Sequence, residues 1–306
     1  LLLACIALPA SARNSHVYVT NDGDASVSVI DTATNAVTAT VPVGRGPLGI
    51  GVSPDGDTIY VANAWDNTLS VIDAAANAVT ATVPMERAPA SLVASRDGTH
   101  VYVANANSST VSVVDTASNT VIATIPVGSL PIAIAENGNG TRLFTANAGD
   151  NTVTVIDTAT NTVTASVTAG DSPFSIVSGP LGARVYAGNF GSNDVSVIDT
   201  ATNTVKATIA VGTGPDAIAI GPLGFPVYAA NYVDDTVSVI DPFGKKVAAT
   251  ITVGHGPVAL AVNHIGTRGY VANADANTVS VINLLTNKVV ATVNTGSLPA
   301  AIAVQP

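Results

Sequence analysis

The chain has 306 residues, 47% of them hydrophobic and 10% charged, with 26 glycines and 17 prolines. That is ample apolar material for a core and too little charge for a disordered chain. The formal net charge of −10, from 21 acidic against 11 basic side chains, repels phosphate backbones and argues against a nucleic-acid partner.

The sequence opens with Leu1-Leu2-Leu3-Ala4-Cys5-Ile6-Ala7-Leu8 and continues Pro9-Ala10-Ser11-Ala12. A short apolar run, a breaker and an A-x-A-like site at Ala10 and Ala12 read as the remnant of a signal peptide over residues 1–12. The expected localisation is therefore exported: periplasmic, extracellular or at the cell surface. A rival reading takes Leu2-Leu3-Ala4-Cys5 as a lipoprotein box, with a lipid anchor at Cys5. Cys5 is the sole cysteine. Disulfides, Cys-ligated zinc, iron–sulfur clusters and covalently attached haem are thereby excluded. Nothing further along approaches the ~20 apolar residues of a transmembrane helix.

Residues 13–306 are a repeat array. Asn21, Asn63, Asn105, Asn147, Asn189, Asn231 and Asn273 recur every 42 residues. Pro47, Pro89, Pro131, Pro173, Pro215, Pro257 and Pro299 keep the same period, and so do Gly56, Gly98, Gly140, Gly182, Gly224 and Gly266. A fourth series is Asp31, Asp73, Asp115, Asp157, Asp199 and Asp241, with Asn283 in the last place. Within the unit that follows Pro89 the apolar period is two. Residues 91–94, 100–104, 110–114 and 121–125 read as strands, rich in Val, Ile, Thr and Tyr, and Gly, Asp, Asn and Ser fill the turns between them. No helix is expected.

Four short antiparallel strands per unit, repeated seven times, specify an all-β fold: a seven-bladed β-propeller of four-stranded antiparallel blades. A sheet this narrow cannot bury its own faces, so neighbouring blades must cover them. Ile50, Leu92, Ile134, Ile176, Ile218, Leu260 and Ile302, each three residues after a proline, are assigned to that blade-to-blade packing. The array starts on a second strand (16–21) and stops on a first strand (299–304). One blade must therefore join both termini, which closes the ring and removes its free sheet edges.

The letters Y-V-T-N at Tyr18-Val19-Thr20-Asn21 return as Tyr60-Val61-Ala62-Asn63, Tyr102-Val103-Ala104-Asn105 and Tyr270-Val271-Ala272-Asn273. Segments such as Val27-Ser28-Val29-Ile30-Asp31-Thr32-Ala33-Thr34-Asn35 follow them. Over residues 16–304 this resembles the YVTN family of β-propeller repeat proteins. Phe144-Thr145-Ala146-Asn147, Tyr186-Ala187-Gly188-Asn189 and Tyr228-Ala229-Ala230-Asn231 are looser matches. The resemblance implies an exported or surface protein of a bacterium or archaeon; such families include surface-layer proteins. It carries no agreed catalytic residues, so none is transferred. More distant propeller relatives are redox enzymes or lactone hydrolases, whose added cofactor domains and long loops are not visible in this sequence.

Candidate chemistry is sparse. Each member of the Asp series opens a D-x-x-x-N turn, where a carboxylate accepts backbone N–H groups, so the series reads as structural and not as metal ligands. His16 and His100 share one repeat phase at a strand start, and His264 sits in a turn. No H-E-x-x-H, G-x-S-x-G, calcium-loop or P-loop pattern occurs. No catalytic residue, metal or cofactor is expected. Function in a repeat protein sits where the repeat is broken. The loops before each proline and after each Asn share one mouth of the central channel, and there Arg45, Arg87, Asp171 and His255 join Trp65, Phe190 and Tyr232. Asp216 is the one charge among Leu48, Ala90, Ile132, Phe174, Val258 and Ala300. These residues form the candidate ligand-binding site. No repeat carries an insertion, which favours a non-catalytic binding or scaffold module for a protein, glycan or small-molecule ligand. The alternative is a propeller enzyme, a hydrolase or redox protein using His255, Asp171 and Asp216.

Overall fold

The computed structural model describes residues 15–243 and 245–306. The signal-peptide remnant at 1–12 and the anchor site at Cys5 lie outside the described residues. Among the described residues there are 28 strands and no helix, hence none long and apolar enough to cross a membrane. The strands form seven separate four-stranded sheets. Blade 1 combines Pro299–Val304 with His16–Asn21, Ser26–Asp31 and Ala36–Pro42. Blades 2 to 7 then follow in sequence, each opening at its series proline: Pro47, Pro89, Pro131, Pro173, Pro215 and Pro257.

Closure takes the expected form. Val17 faces Val304, Tyr18 faces Ala303 and Val19 faces Ile302 in an antiparallel ladder. Gln305 extends it, donating its N–H to His16 O at 2.9 Å and its side-chain amide to Gly56 O of blade 2 at 2.8 Å. The last residues thus bind both the blade they complete and the next one.

Each blade interface holds its own apolar cluster, and the cluster has the same two anchors every time. The residue three after a proline packs against the aromatic residue on the second strand of the preceding blade. The pairs are Tyr18 with Ile50, Tyr60 with Leu92, Tyr102 with Ile134, Phe144 with Ile176, Tyr186 with Ile218, Tyr228 with Leu260, and Tyr270 with Ile302. Burying such pairs contributes roughly 1.5–3 kcal/mol per large side chain, which a lone four-stranded sheet cannot obtain.

The buried Asn of each blade holds the mouth end of its sheet. Asn63 donates to Thr68 Oγ1 at 3.0 Å and to Ser70 Oγ at 2.9 Å, and every other blade repeats the pattern with a Ser, Thr or Asp partner. Backbone passes directly over this amide. A Cβ on Gly44 would stand 2.7 Å from the Asn63 side chain, so glycine is required there. At the other end the Asp series closes turns, as its spacing predicts. Asp31 Oδ1 accepts from Ala33 N–H at 3.0 Å and Thr34 N–H at 2.8 Å, and Asn35 takes the left-handed conformation at φ 53°.

A channel mouth broken between blades 6 and 7

Strand polarity places two loop sets at one end of the ring: the connector entering each blade and the loop between its second and third strands. Hydrogen bonds weave them together. The third residue after the buried Asn accepts the N–H of the residue two before the proline of its own blade. Asp66 accepts from Arg45 at 2.7 Å, Ser108 from Arg87 at 3.0 Å, Ser192 from Asp171 at 3.1 Å and Asp234 from Thr213 at 2.7 Å. The fourth residue after the Asn holds the outgoing connector: Asn67 accepts from Ala88 N–H at 2.8 Å and Asn193 from Gly214 N–H at 2.8 Å. Most connectors are therefore clamped from both sides.

The connector between blades 6 and 7 departs from this. On its blade 7 side the accepting position is Ala276, so the His255 N–H has lost its latch. On its blade 6 side the Asn is replaced by Asp235. One Asp235 oxygen accepts from Gly256 N–H at 2.9 Å and the other contacts His255 Nδ1 at 2.6 Å. The Gly256 bond, more than the imidazole, holds the Asp235 carboxyl below its usual range. His255 is 79% exposed and Asp235 31%, so the couple faces the solvent of the mouth. Beside it Tyr232 donates its hydroxyl to Asp275 Oδ2 at 3.1 Å. That bond raises the Tyr232 pKa, and the charges of Asp275, Asp216 and Asp235 push in the same direction.

Asp216 lies below these loops on the innermost strand Pro215–Ile220. The seven innermost strands line a cavity of about 240 Å³, with Leu48, Ala90, Ile132, Phe174, Val258 and Ala300 at the equivalent positions. The Asp216 side chain is partly exposed to the channel but is walled by the other strands and has no cation beside it among the described residues. Desolvation pushes its pKa up to about 7.

The eight residues singled out from sequence do not converge on one point. Asp216, Tyr232 and His255 gather in the sector of blades 6 and 7. Phe190 stands next to it, its ring centroid 4.9 Å from that of Phe174, and Asp171 caps the connector into blade 5. Arg45, Arg87 and Trp65 belong to blades 2 and 3, across the ring. There Arg45 Nε pairs with Asp66 at 2.8 Å and the indole of Trp65 lies against Gly46. The trio His255, Asp171 and Asp216 is not formed either: the carboxylate on His255 is Asp235. Asp235 and Asp275 escape notice in the sequence because each is one more Asp in an Asp- and Asn-rich loop. The signal available there was the break in register, Asp for Asn at 235 and Ala for Asp or Ser at 276. Among the described residues no cluster of His, Cys, Asp and Glu could hold a metal.

Fold and repeat together define the class, a seven-bladed β-propeller assembled from uniform units. They fit a YVTN-type β-propeller repeat protein, and residues 4–93 match the model of the YNCE-like β-propeller family. A PE-PGRS family protein of Mycobacterium tuberculosis, PE_PGRS18, is 54% identical over 39 residues, which is 13% of this chain and 8% of that protein. Among solved structures, a functionally unknown protein from Desulfotomaculum acetoxidans superposes with a TM-score of 0.83 at 18% identity, covering 94% of this chain and 98% of that one. A chain of the Kuenenia stuttgartiensis hydrazine synthase reaches 0.76 at 24% identity, covering 84% and 88%. At these identities the likeness concerns the fold alone.

Proposed function

We propose that this protein is an exported, non-catalytic binding module that receives a cationic group, an ammonium or guanidinium of a protein or small ligand, at the mouth sector of blades 6 and 7. One observation carries the reading: Asp216 is a desolvated carboxylate without a counter-ion among the described residues, on a channel wall whose six equivalent positions are apolar. Such a group weakens the fold on its own and is relieved when a cation arrives. The surroundings suit that ligand. Asp235 and Asp275 add negative potential, and Phe174, Phe190 and Tyr232 offer ring faces that attract cations.

Calorimetric titration with agmatine, acetyl-lysine amide and a lysine-rich peptide, each against a neutral isostere, tests it. Binding should strengthen about tenfold or more between pH 5.5 and 8, as Asp216 ionises, with proton release near pH 7. Asp216→Asn should abolish both the binding and its pH dependence. Failure of every cationic probe to bind, or binding that ignores pH and the substitution, would refute the proposal. The His255–Asp235 couple favours a second reading, hydrolysis at the same mouth, because it pairs a base with an orienting carboxylate. No hydroxyl is hydrogen-bonded to that imidazole among the described residues. Turnover of a lactone panel that is lost in both His255→Ala and Asp235→Asn would establish the hydrolase, and absence of turnover would dismiss it.

A further inference from the structure

The opposite end of the ring is also broken, in different residues. There the turn between the first and second strands reads Ser53-Pro54-Asp55-Gly56, Ser95-Arg96-Asp97-Gly98 and Asn137-Gly138-Asn139-Gly140 in blades 2 to 4. Its third residue closes the turn: Asp97 accepts from Ser95 Oγ at 2.6 Å and Asn139 from Thr141 Oγ1 at 2.8 Å. In blades 5 to 7 that residue is Leu181, Leu223 and Ile265, which cannot accept a hydrogen bond. They are 92%, 74% and 75% exposed. The neighbouring turn between the third and fourth strands changes as well. Where blades 1 to 5 carry alanine, blades 6 and 7 carry Phe243 and Leu285, 67% and 79% exposed. Scattered exposed aliphatics need no explanation, but five at matched tips on adjacent blades do.

The tips form one continuous surface. Pro180 of blade 5 abuts Gly224 of blade 6, and Pro222 of blade 6 abuts Gly266 of blade 7. Leu181, Leu223 and Phe243 share the wall of one hollow, and the Phe225 and Phe243 rings meet edge to face at 5.6 Å. Cations surround it. The Arg184 guanidinium lies over the Phe243 ring at 5.7 Å, Lys246, Arg268 and Lys288 open strands at this same end, and Lys245 sits in the turn just before Lys246. The carboxylates of this end in the same blades are Asp199 and Asp241, each holding backbone N–H groups of its own turn. A local excess of cations around an apolar patch stands out on a chain of net charge −10.

We propose that this end of the ring, over blades 5 to 7, docks on an anionic lipid surface. The apolar side chains are at the tips and the cations are set back at the strand starts. That order matches acyl chains below and charged headgroups above. The five apolar side chains are mostly exposed at their turn tips, an arrangement that suits insertion among acyl chains more than the enclosure of a peptide.

Co-sedimentation of the full chain with phosphatidylcholine vesicles, with and without about one-third phosphatidylglycerol, tests the docking. The wild type should sediment with the anionic vesicles and lose that binding in high salt. The triple variant Leu181→Ser, Leu223→Ser, Ile265→Ser should partition about tenfold less or weaker still. Lys245→Ala with Lys246→Ala should lose about tenfold on anionic vesicles and nothing on neutral ones. Both variants keep residues 1–14, so a contribution from that segment cancels, and both should melt at the wild-type temperature. The proposal is overturned if the wild type does not sediment with anionic vesicles, or if the tip variant sediments like the wild type. It is equally overturned if the wild type is a dimer that the tip variant dissociates while neither binds vesicles, since the patch would then pair copies of the chain.

Discussion

Replacing Asp216 by Asn asks whether the channel carboxylate is a burden on the fold. In the folded protein its pKa is about 7, raised by desolvation alone; in the unfolded chain it returns to the ordinary 3.8. Below pH 3.8 both states are protonated and the carboxyl contributes nothing. Between pH 3.8 and about 7 the folded state holds a proton that the unfolded state has released, so stability falls as pH rises. Above pH 7 the full penalty applies. The shift corresponds to about 4 kcal/mol, and water entering the mouth reduces the expected penalty to roughly 2–4 kcal/mol. Asn is nearly isosteric and carries no charge, so it should match the wild type near pH 4 and exceed it by that amount at pH 8. Urea unfolding of both proteins at half-unit pH intervals reads the difference directly, with the m-value checking that the unfolded reference is unchanged. A difference that stays flat from pH 4 to 8 would refute the reasoning, because a desolvated acid cannot avoid this slope. A wild type more stable than the variant at pH 8 would mean that a cation already neutralises Asp216.

Two further outcomes concern the frame. Deleting residues 299–306 removes the first strand of blade 1, the Ile302 contact and the Gln305 bond to Gly56, and should lower the melting temperature by roughly 10 °C or more; an unchanged melting curve would show that the ring does not depend on the closure. The Asp97 carboxyl is drawn down to about 2, first by the Ser95 hydroxyl and then by the Thr99 N–H, so the stability it lends is complete above the ordinary carboxylate pKa and is lost as pH falls toward 2. A carbon-detected NMR titration should place its midpoint there, and Ser95→Ala should move that midpoint upward.

Much of the frame was legible because each repeated letter has a local mechanical duty. Asn63 and its equivalents tie adjacent strands, Asp31 and its equivalents cap turns, and Ile50 with its equivalents meets a neighbour's tyrosine or phenylalanine. A constraint repeated at a 42-residue interval shows itself without any structure. The mouth was legible only in outline. Residue identity pointed to His255, Asp216 and Tyr232, but pairing across blades depends on loop curvature, and no spacing in the sequence shows that Asp235 reaches His255 while Asp171 does not. Arg45 looked like an available cation until Asp66 was found holding both its backbone and its side chain. The apolar end went unread because a lone Leu181 or Ile265 in a turn is unremarkable in one dimension. It acquires meaning once neighbouring turns are stacked.

The two ends of the ring share one feature that a neutral scaffold would not require. Blades 2 to 4 keep the turn-closing acceptors at one end and Asp or Ser on the entering connector at the other. Blades 5 to 7 replace the first with aliphatic tips, and blade 7 replaces the second with Ala276. Each replacement removes a hydrogen bond and leaves the strands unaltered, since blade 6 and blade 7 hold the same register as blade 2. Drift would scatter such losses around the circle. The mouth-end losses do scatter, to Ala25 and Ser109 as well as Ala276, but the aliphatic tips are contiguous over blades 5 to 7, and that contiguity is the ground for proposing this arc as the docking side, beneath the proposed receptor for a cationic group.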